Sequence, residues 1–140
     1  MNSWMKNINS GLPVTEINIP GTHDSCSYNT ALGFFANCQK KTIAEQLNCG
    51  IRFLDIRVEK KGDSLILVHA IVNCRTLDNS RVLTFDDVFS DCKKFLKENP
   101  CEAILLSLKR DDGPSSEETF DFFFERYLND EIWFKENRFP

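Results

Sequence analysis

The chain carries two histidines, and both stand where a strand-like run gives way to a turn. His23 falls in Ile19-Pro20-Gly21-Thr22-His23-Asp24-Ser25, directly beside a carboxylate, and His69 closes the apolar run from Ser64. An imidazole titrates near neutrality, so of two held together one can be a base while the other is an acid. Such a pair suits a reaction that takes a proton from an attacking hydroxyl and returns one to a leaving group, each transfer worth roughly 10²–10⁴ in rate. Arg57 meets the remaining need, a permanent forked cation that neutralises an anionic centre such as a phosphodiester. Asp55, two residues earlier on the same strand face, can hold that guanidinium, and Lys109 ends the last strand-like run.

Each of these residues also has a plain structural reading. A strand-end histidine is often structural, an Arg–Asp pair can be an ordinary ion pair, and a strand-end lysine is commonly solvated. Convergence is harder to explain that way, because unpaired charge buried at one mouth is costly without a ligand.

Four strands are expected to position the set: Val14 to Ile19, Ile51 to Val58, Ser64 to His69 and Ala103 to Lys109. In the second, Ile51, Phe53, Asp55 and Arg57 share a face; in the third, Leu65, Leu67 and His69; in the fourth, Ala103, Leu105, Ser107 and Lys109. Each face starts apolar and turns polar at its C-terminal end, the end that carries the site in parallel α/β folds and closed barrels. A short helix is expected after Thr42, which has capping-box spacing to Glu45, with Gly50 closing it. A longer one runs from Thr84 to Glu98, with Thr84 and Asp87 placed to cap it, Phe85, Val88, Phe89, Cys92, Phe95 and Leu96 on its apolar stripe and Asn99-Pro100 stopping it. Ser115 and Glu118 open a third after Asp112-Gly113-Pro114, with Phe120, Phe123, Phe124, Tyr127 and Leu128 turned inward. Alternating strands and helices imply an α/β fold with a parallel sheet.

At 140 residues the chain suits one domain, and its net charge of -4 argues against a nucleic-acid partner. No apolar run approaches the roughly 18 residues that span a bilayer, so no transmembrane segment is expected. The start, Met1-Asn2-Ser3-Trp4-Met5-Lys6, lacks the apolar core of a secretory signal, which points to a cytoplasmic or peripheral-membrane location. The six cysteines are spaced too widely for paired zinc ligands. Secreted, they could form three bridges in many connectivities; without a signal, buried free thiols are the preferred reading, with Cys92 on a helix stripe and Cys49 at a helix end.

Ile19-Pro20-Gly21-Thr22-His23-Asp24-Ser25 and the later run Ile43-Ala44-Glu45-Gln46-Leu47-Asn48-Cys49-Gly50-Ile51-Arg52-Phe53-Leu54-Asp55-Ile56-Arg57 closely resemble the X domain of bacterial-type phosphatidylinositol-specific phospholipase C. Phe95 to Glu102 and Leu106 to Lys109 continue the likeness. The resemblance implies a TIM-type (β/α) barrel, of which residues 1–140 would hold only the first half, about four parallel strands with their helices; a full barrel takes about 200 residues or more. It implies cleavage of phosphatidylinositol, or of a glycosyl-phosphatidylinositol anchor, to diacylglycerol and an inositol phosphate. His23 would take the proton of the inositol 2-hydroxyl, and His69, assisted by Asp24, would protonate the departing diacylglycerol oxygen. Arg57, held by Asp55, would stabilise the phosphoryl oxygens, and Lys109 would line the inositol pocket. Calcium-dependent relatives carry asparagine after the first histidine; Asp24 and Arg57 here imply no metal and no cofactor, so turnover should survive a chelator.

Two departures stand out. Ala70 follows His69 where the family usually has glycine, and the family's later strands supply an aspartate that orients the base, with no counterpart in this chain. Half a barrel leaves open sheet edges and an apolar interior, so self-association is expected. Phe34 and Phe35 either touch lipid or pack under the barrel rim. Two other readings stay open: a catalytically inactive lipid-binding or interaction module, and a phosphodiesterase acting on another substrate such as a glycerophosphodiester.

Overall fold

The structure is a computed structural model that describes residues 3–9, 11–110 and 116–133. Its strands are β1 (Gly21–Thr22), β2 (Phe53–Lys61), β3 (Ser64–His69), β4 (Val72–Asn73) and β5 (Leu105–Arg110), and its helices α1 (Ile43–Asn48), α2 (Phe85–Glu98) and α3 (Ser116–Tyr127). β2 is the spine. Along one edge it pairs in parallel with β5, from Phe53↔Leu105 to Val58↔Arg110. Along the other it meets the parallel β1 at Phe53 and Leu54, then the antiparallel β3 from Val58↔Leu67 to Lys61↔Ser64.

The sheet is therefore mixed, which corrects the expectation of four parallel strands. Only the two residues Gly62-Asp63 separate β2 from β3, too few for the helical crossover that a parallel neighbour requires. Gly62 takes φ +58, the Gly-first pattern of a tight hairpin turn. The first strand also differs: Val14–Glu16 forms a 3-10 turn, and pairing begins only at Gly21, beyond Pro20, which has no N–H to give a ladder.

Alternation along β2 sends Leu54, Ile56 and Val58 into the core with Leu65, Leu67, Leu47, Phe85 and Val88, and leaves Phe53, Asp55 and Arg57 on the opposite face. Full burial of each such aliphatic is worth about 1.5–3 kcal/mol. α1 and α2 start as their spacing predicts. Glu45 accepts from the Thr42 N–H and Thr42 Oγ1 accepts from the Glu45 N–H, while Asp87 accepts from the Thr84 N–H and hydroxyl. On α3 the inward line is Thr119, Phe123 and Tyr127, whereas Phe124 and Leu128 are exposed. Phe123 and Tyr127 meet Phe85 edge-on at 5.1 and 4.8 Å, and that aromatic contact sets the helix's rotation. The Asp112-Gly113-Pro114 turn and the Ser115 cap lie outside the described residues.

Among the described residues one ion pair is wholly interior. Arg52 Nε lies 2.8 Å from Glu102 Oε2, and Nη1 donates to the carbonyls of Leu47 and Ile51, with the guanidinium 4.4 Å over the Phe95 ring. Glu102 Oε1 accepts from the Met5 N–H. The Leu105 N–H in turn donates to the Arg52 carbonyl, so this pair sits where β5 takes its register on β2.

All six cysteines are free. Cys26, Cys74 and Cys92 are buried as expected; burial pushes the Cys92 thiol up to about 12 and Cys26 well above its ordinary value, which makes both inert. Cys38, Cys49 and Cys101 are exposed, which corrects the buried reading for these three, because they fall outside the helices and strands and so on no inward face.

Candidate active site

The site starts at the short β1. A Cβ on Gly21 would stand 2.9 Å from Phe53 Cβ, so only glycine lets this turn lie against β2. Past Thr22 the chain folds across β2 and is laced to it. Ser25 N–H donates to the Asp55 carbonyl, Asp55 N–H donates to Ser25 Oγ, and Asp24 N–H donates to Asp55 Oδ2 at 3.2 Å. Asp24 takes φ +45, a left-handed conformation that aspartate tolerates better than most residues. Gln46, buried on α1, props the turn from behind: its Nε2 donates to the Ser25 carbonyl and its Oε1 accepts from the Thr22 hydroxyl, both at 2.7 Å.

Two buried carboxylates now organise four cationic or ionisable side chains. Asp24 meets Arg57 Nε at 2.6 Å, His69 Nδ1 at 2.8 Å and His23 Nε2 at 2.9 Å. Asp55 meets His23 Nδ1 at 3.1 Å, Lys109 Nζ at 3.2 Å and Arg57 Nη2 at 3.6 Å. Burial works to raise the Asp55 carboxyl, but the Asp24 N–H, Lys109 and Arg57 outweigh it and hold the group below the ordinary carboxylate value. The His23 side chain is 65% exposed, against 23% for His69 and 21% for Arg57, so the proposed base faces solvent while the other two are sheltered.

Every residue singled out for chemistry is thus in one cluster, with differences of detail. Arg57 was expected to rest on Asp55; its closer partner is Asp24. The cluster was expected at the strand ends, yet Asp55 and Arg57 lie mid-way along β2, which runs on to Lys61 before the hairpin returns. β3 makes its last pair with β2 at Leu67 and then carries His69 across to Asp24. Lys109 lies opposite Arg57, and Ser107 opposite Asp55, in the β2–β5 register. Phe34 and Phe35 stand on a 3-10 turn, 91% and 93% exposed, rather than packed under a rim. Ala70 takes φ +53, the conformation glycine adopts without strain. A cleft of about 490 Å³ near Leu106, Leu96 and Trp133 holds none of these residues.

Sequence reasoning passed over Ser25 and Gln46, which carry no charge to announce them. It also passed over Cys38, whose Sγ lies 4.0 Å from His69 Nε2, and Ile71, 96% exposed two residues after His69.

A sheet backed by helices on one face, with an acid–base cluster on the other, is the plan of part of a (β/α) barrel. The chain belongs to the family described as phosphatidylinositol-specific phospholipase C, X domain, which matches residues 17–139. It is 33% identical over 130 residues to the 1-phosphatidylinositol phosphodiesterase of Staphylococcus aureus strain Newman, covering 89% of this chain and 40% of that protein. It is 30% identical over 131 residues to the enzyme of the same name from Listeria monocytogenes, covering 90% of this chain and 38% of the relative. A solved phosphatidylinositol-specific phospholipase C of S. aureus, studied for modulation of its membrane binding, superposes with TM-score 0.78 at 30% identity over 91% of this chain and 42% of that one. The Listeria monocytogenes enzyme does so with TM-score 0.72 at 28% identity, covering 91% of this chain and 44% of that one. The chain spans about two fifths of the length of the curated relatives it matches.

Proposed function

We propose that this chain carries the acid–base machinery of a phospholipase C that cleaves phosphatidylinositol to diacylglycerol and a cyclic inositol phosphodiester. The observation that carries the reading is the convergence of His69, His23 and Arg57 on the single carboxylate Asp24, at 2.6–2.9 Å. In this reading His23 accepts the proton of the inositol 2-hydroxyl as its oxygen attacks phosphorus. The bond from phosphorus to the diacylglycerol oxygen breaks, and His69, oriented through Nδ1 by Asp24, gives that oxygen a proton from Nε2. Arg57 faces the charge that builds on the phosphoryl oxygens. Asp55 orients His23 through Nδ1, the part the family assigns to a later strand, and Lys109 offers its ammonium to the inositol hydroxyls. For His23 to act, its Nε2 must leave Asp24, a rotation open to a ring as exposed as this one.

The membrane side of the reading rests on exposed apolar groups from two segments, the loop after the first histidine and the turn after the second. Ala31 N–H donates to the Asn73 carbonyl, which brings the loop of Leu32, Phe34 and Phe35 beside the β3–β4 turn that bears Ile71. All four side chains are exposed, as an interfacial anchor requires.

Diacylglycerol release from phosphatidylinositol vesicles tests the reading, with His23→Ala as control. Release that His23→Ala lowers by about 10²-fold or more supports it; release that the variant leaves untouched overturns it. A second reading, an inactive module that needs a partner to complete its sheet, is favoured by one observation. β5 has no strand on its outer edge among the described residues, and Phe53 is exposed on the inner face. Self-association in sedimentation supports that incomplete state, and a monomer that melts cooperatively overturns it.

A further inference from the structure

We propose that His23, Asp24 and Cys38, with His69 beside them, form an inhibitory seat for a soft divalent cation of the zinc type. One ligand atom each from His23, Asp24 and Cys38 lies within 4.8 Å of the other two, and Cys38 Sγ is 4.0 Å from His69 Nε2. Around tetrahedral zinc, with Zn–S near 2.3 Å and Zn–N near 2.0 Å, neighbouring ligand atoms stand about 3.5 Å apart. Closing the set onto an ion takes movements of about 1 Å from side chains of which two, His23 and Cys38, are exposed.

The stretch that carries the thiol is held there by bonds between main chain and the side chains of Ser27 and Gln39. Cys38 N–H donates to Ser27 Oγ, Gln39 N–H donates to the Ser27 carbonyl, and Gln39 Nε2 donates to the His23 carbonyl at 2.6 Å. Ser27 itself is buried and donates to the Asp24 carbonyl. The loop between Ser25 and Gln39 is therefore tied back to the residues that flank the seat, and the sulfur arrives pre-positioned. A thiolate with an imidazole and one carboxylate selects zinc or cadmium over magnesium and calcium, which prefer all-oxygen shells. Binding forms the metal–sulfur bond as the thiol proton leaves to solvent. The ion takes the ring nitrogen of His23 that the proposed reaction needs as a base and shares Asp24 with His69, so a filled seat and a working site exclude one another. This geometry does not depend on which phosphodiester the chain cleaves.

The test uses the full chain carrying Cys49→Ser and Cys101→Ser, which removes the other exposed thiols. Cadmium is titrated in and read by its thiolate charge-transfer absorption, with zinc measured by competition and magnesium and calcium as controls. One cadmium per chain is expected, displaced by zinc and not by the hard cations. The band should vanish in Cys38→Ser, and His23→Ala should weaken binding by about tenfold or more, as loss of even an outer-sphere partner does. In the unsubstituted chain, zinc should protect Cys38 from alkylation, read by peptide mass, with no variant involved. A band that survives Cys38→Ser, one indifferent to both His23→Ala and Asp24→Asn, or unprotected Cys38 at saturating zinc each overturns the proposal.

Discussion

Removing the charge of Glu102 should reveal how far the β2–β5 register depends on the interior ion pair. The Arg52 side chain is fully buried, and its guanidinium is matched by one carboxylate, two carbonyls and a ring face. Glu102→Gln keeps the shape and one acceptor but strands a cation in the core, which costs about 3–5 kcal/mol. For a chain of 140 residues a change of 1 kcal/mol moves the melting midpoint by about 3.4 °C, so the expected fall is about 10–17 °C. Replacing both partners at once, Arg52→Met with Glu102→Leu, removes the unpaired charge and should return most of that loss, since apolar replacement of a buried pair is often neutral or stabilising. Thermal unfolding followed by tryptophan fluorescence suits the comparison, because Trp4 Nε1 donates to the Gly50 carbonyl close to Arg52. Protein concentration is held equal so that association affects each variant alike. A Glu102→Gln midpoint within about 3 °C of the parent, or a double variant as unstable as the single one, would refute the reasoning.

Acid stability should depend on Asp55, whose folded carboxyl is held below the ordinary value. Its contribution is complete above the unfolded pKa of about 3.9 and is lost as pH falls through the folded value, so Asp55→Asn should flatten the acid limb of stability against pH; an unchanged limb contradicts this. Phe34→Ser with Phe35→Ser should weaken binding to phosphatidylinositol vesicles while sparing hydrolysis of a soluble substrate, and unchanged vesicle binding rejects the anchor. Ala70→Gly removes a left-handed alanine that costs about 1–2 kcal/mol, less about 0.5–1 kcal/mol for glycine's extra unfolded freedom. Urea unfolding should show the variant more stable by about 0.5–1 kcal/mol, and a lowered midpoint would contradict the assignment of strain.

What could be read from residue order was whatever depended on neighbours along the chain. The capping pairs Thr42–Glu45 and Thr84–Asp87 announce two helices, and alternation alone puts Asp55 and Arg57 on one face of β2. The direction of β3 was also written locally, in the two-residue Gly62-Asp63 loop, but the alternation of strands and helices pointed to a parallel sheet and prevailed. Helix rotation on α3 could not be read, because Phe120, Phe123 and Phe124 are equal in apolarity and only their aromatic partners on α2 choose among them. Arg52–Glu102 was hidden for a different reason: a separation of 50 residues gives no periodic trace. Cys38 is brought to His69 by bonds from the Ser27 hydroxyl and the Gln39 amide to the main chain, which carry no periodic or charge signal along the sequence.

The hairpin has a consequence for the order in which the molecule is made. Because β3 doubles back at once, with no helix in between, His69 meets Asp24 across 45 residues, while His23 meets Asp55 across 32 before the hairpin is reached. Loop closure grows only slowly with length, about 0.6 kcal/mol for each doubling, so contacts at these separations cost little more to close than nearer ones. A polypeptide emerging from the ribosome presents both imidazoles, both carboxylates and the guanidinium before α2 follows them out, and Lys109 joins a constellation whose other members have already left the exit tunnel.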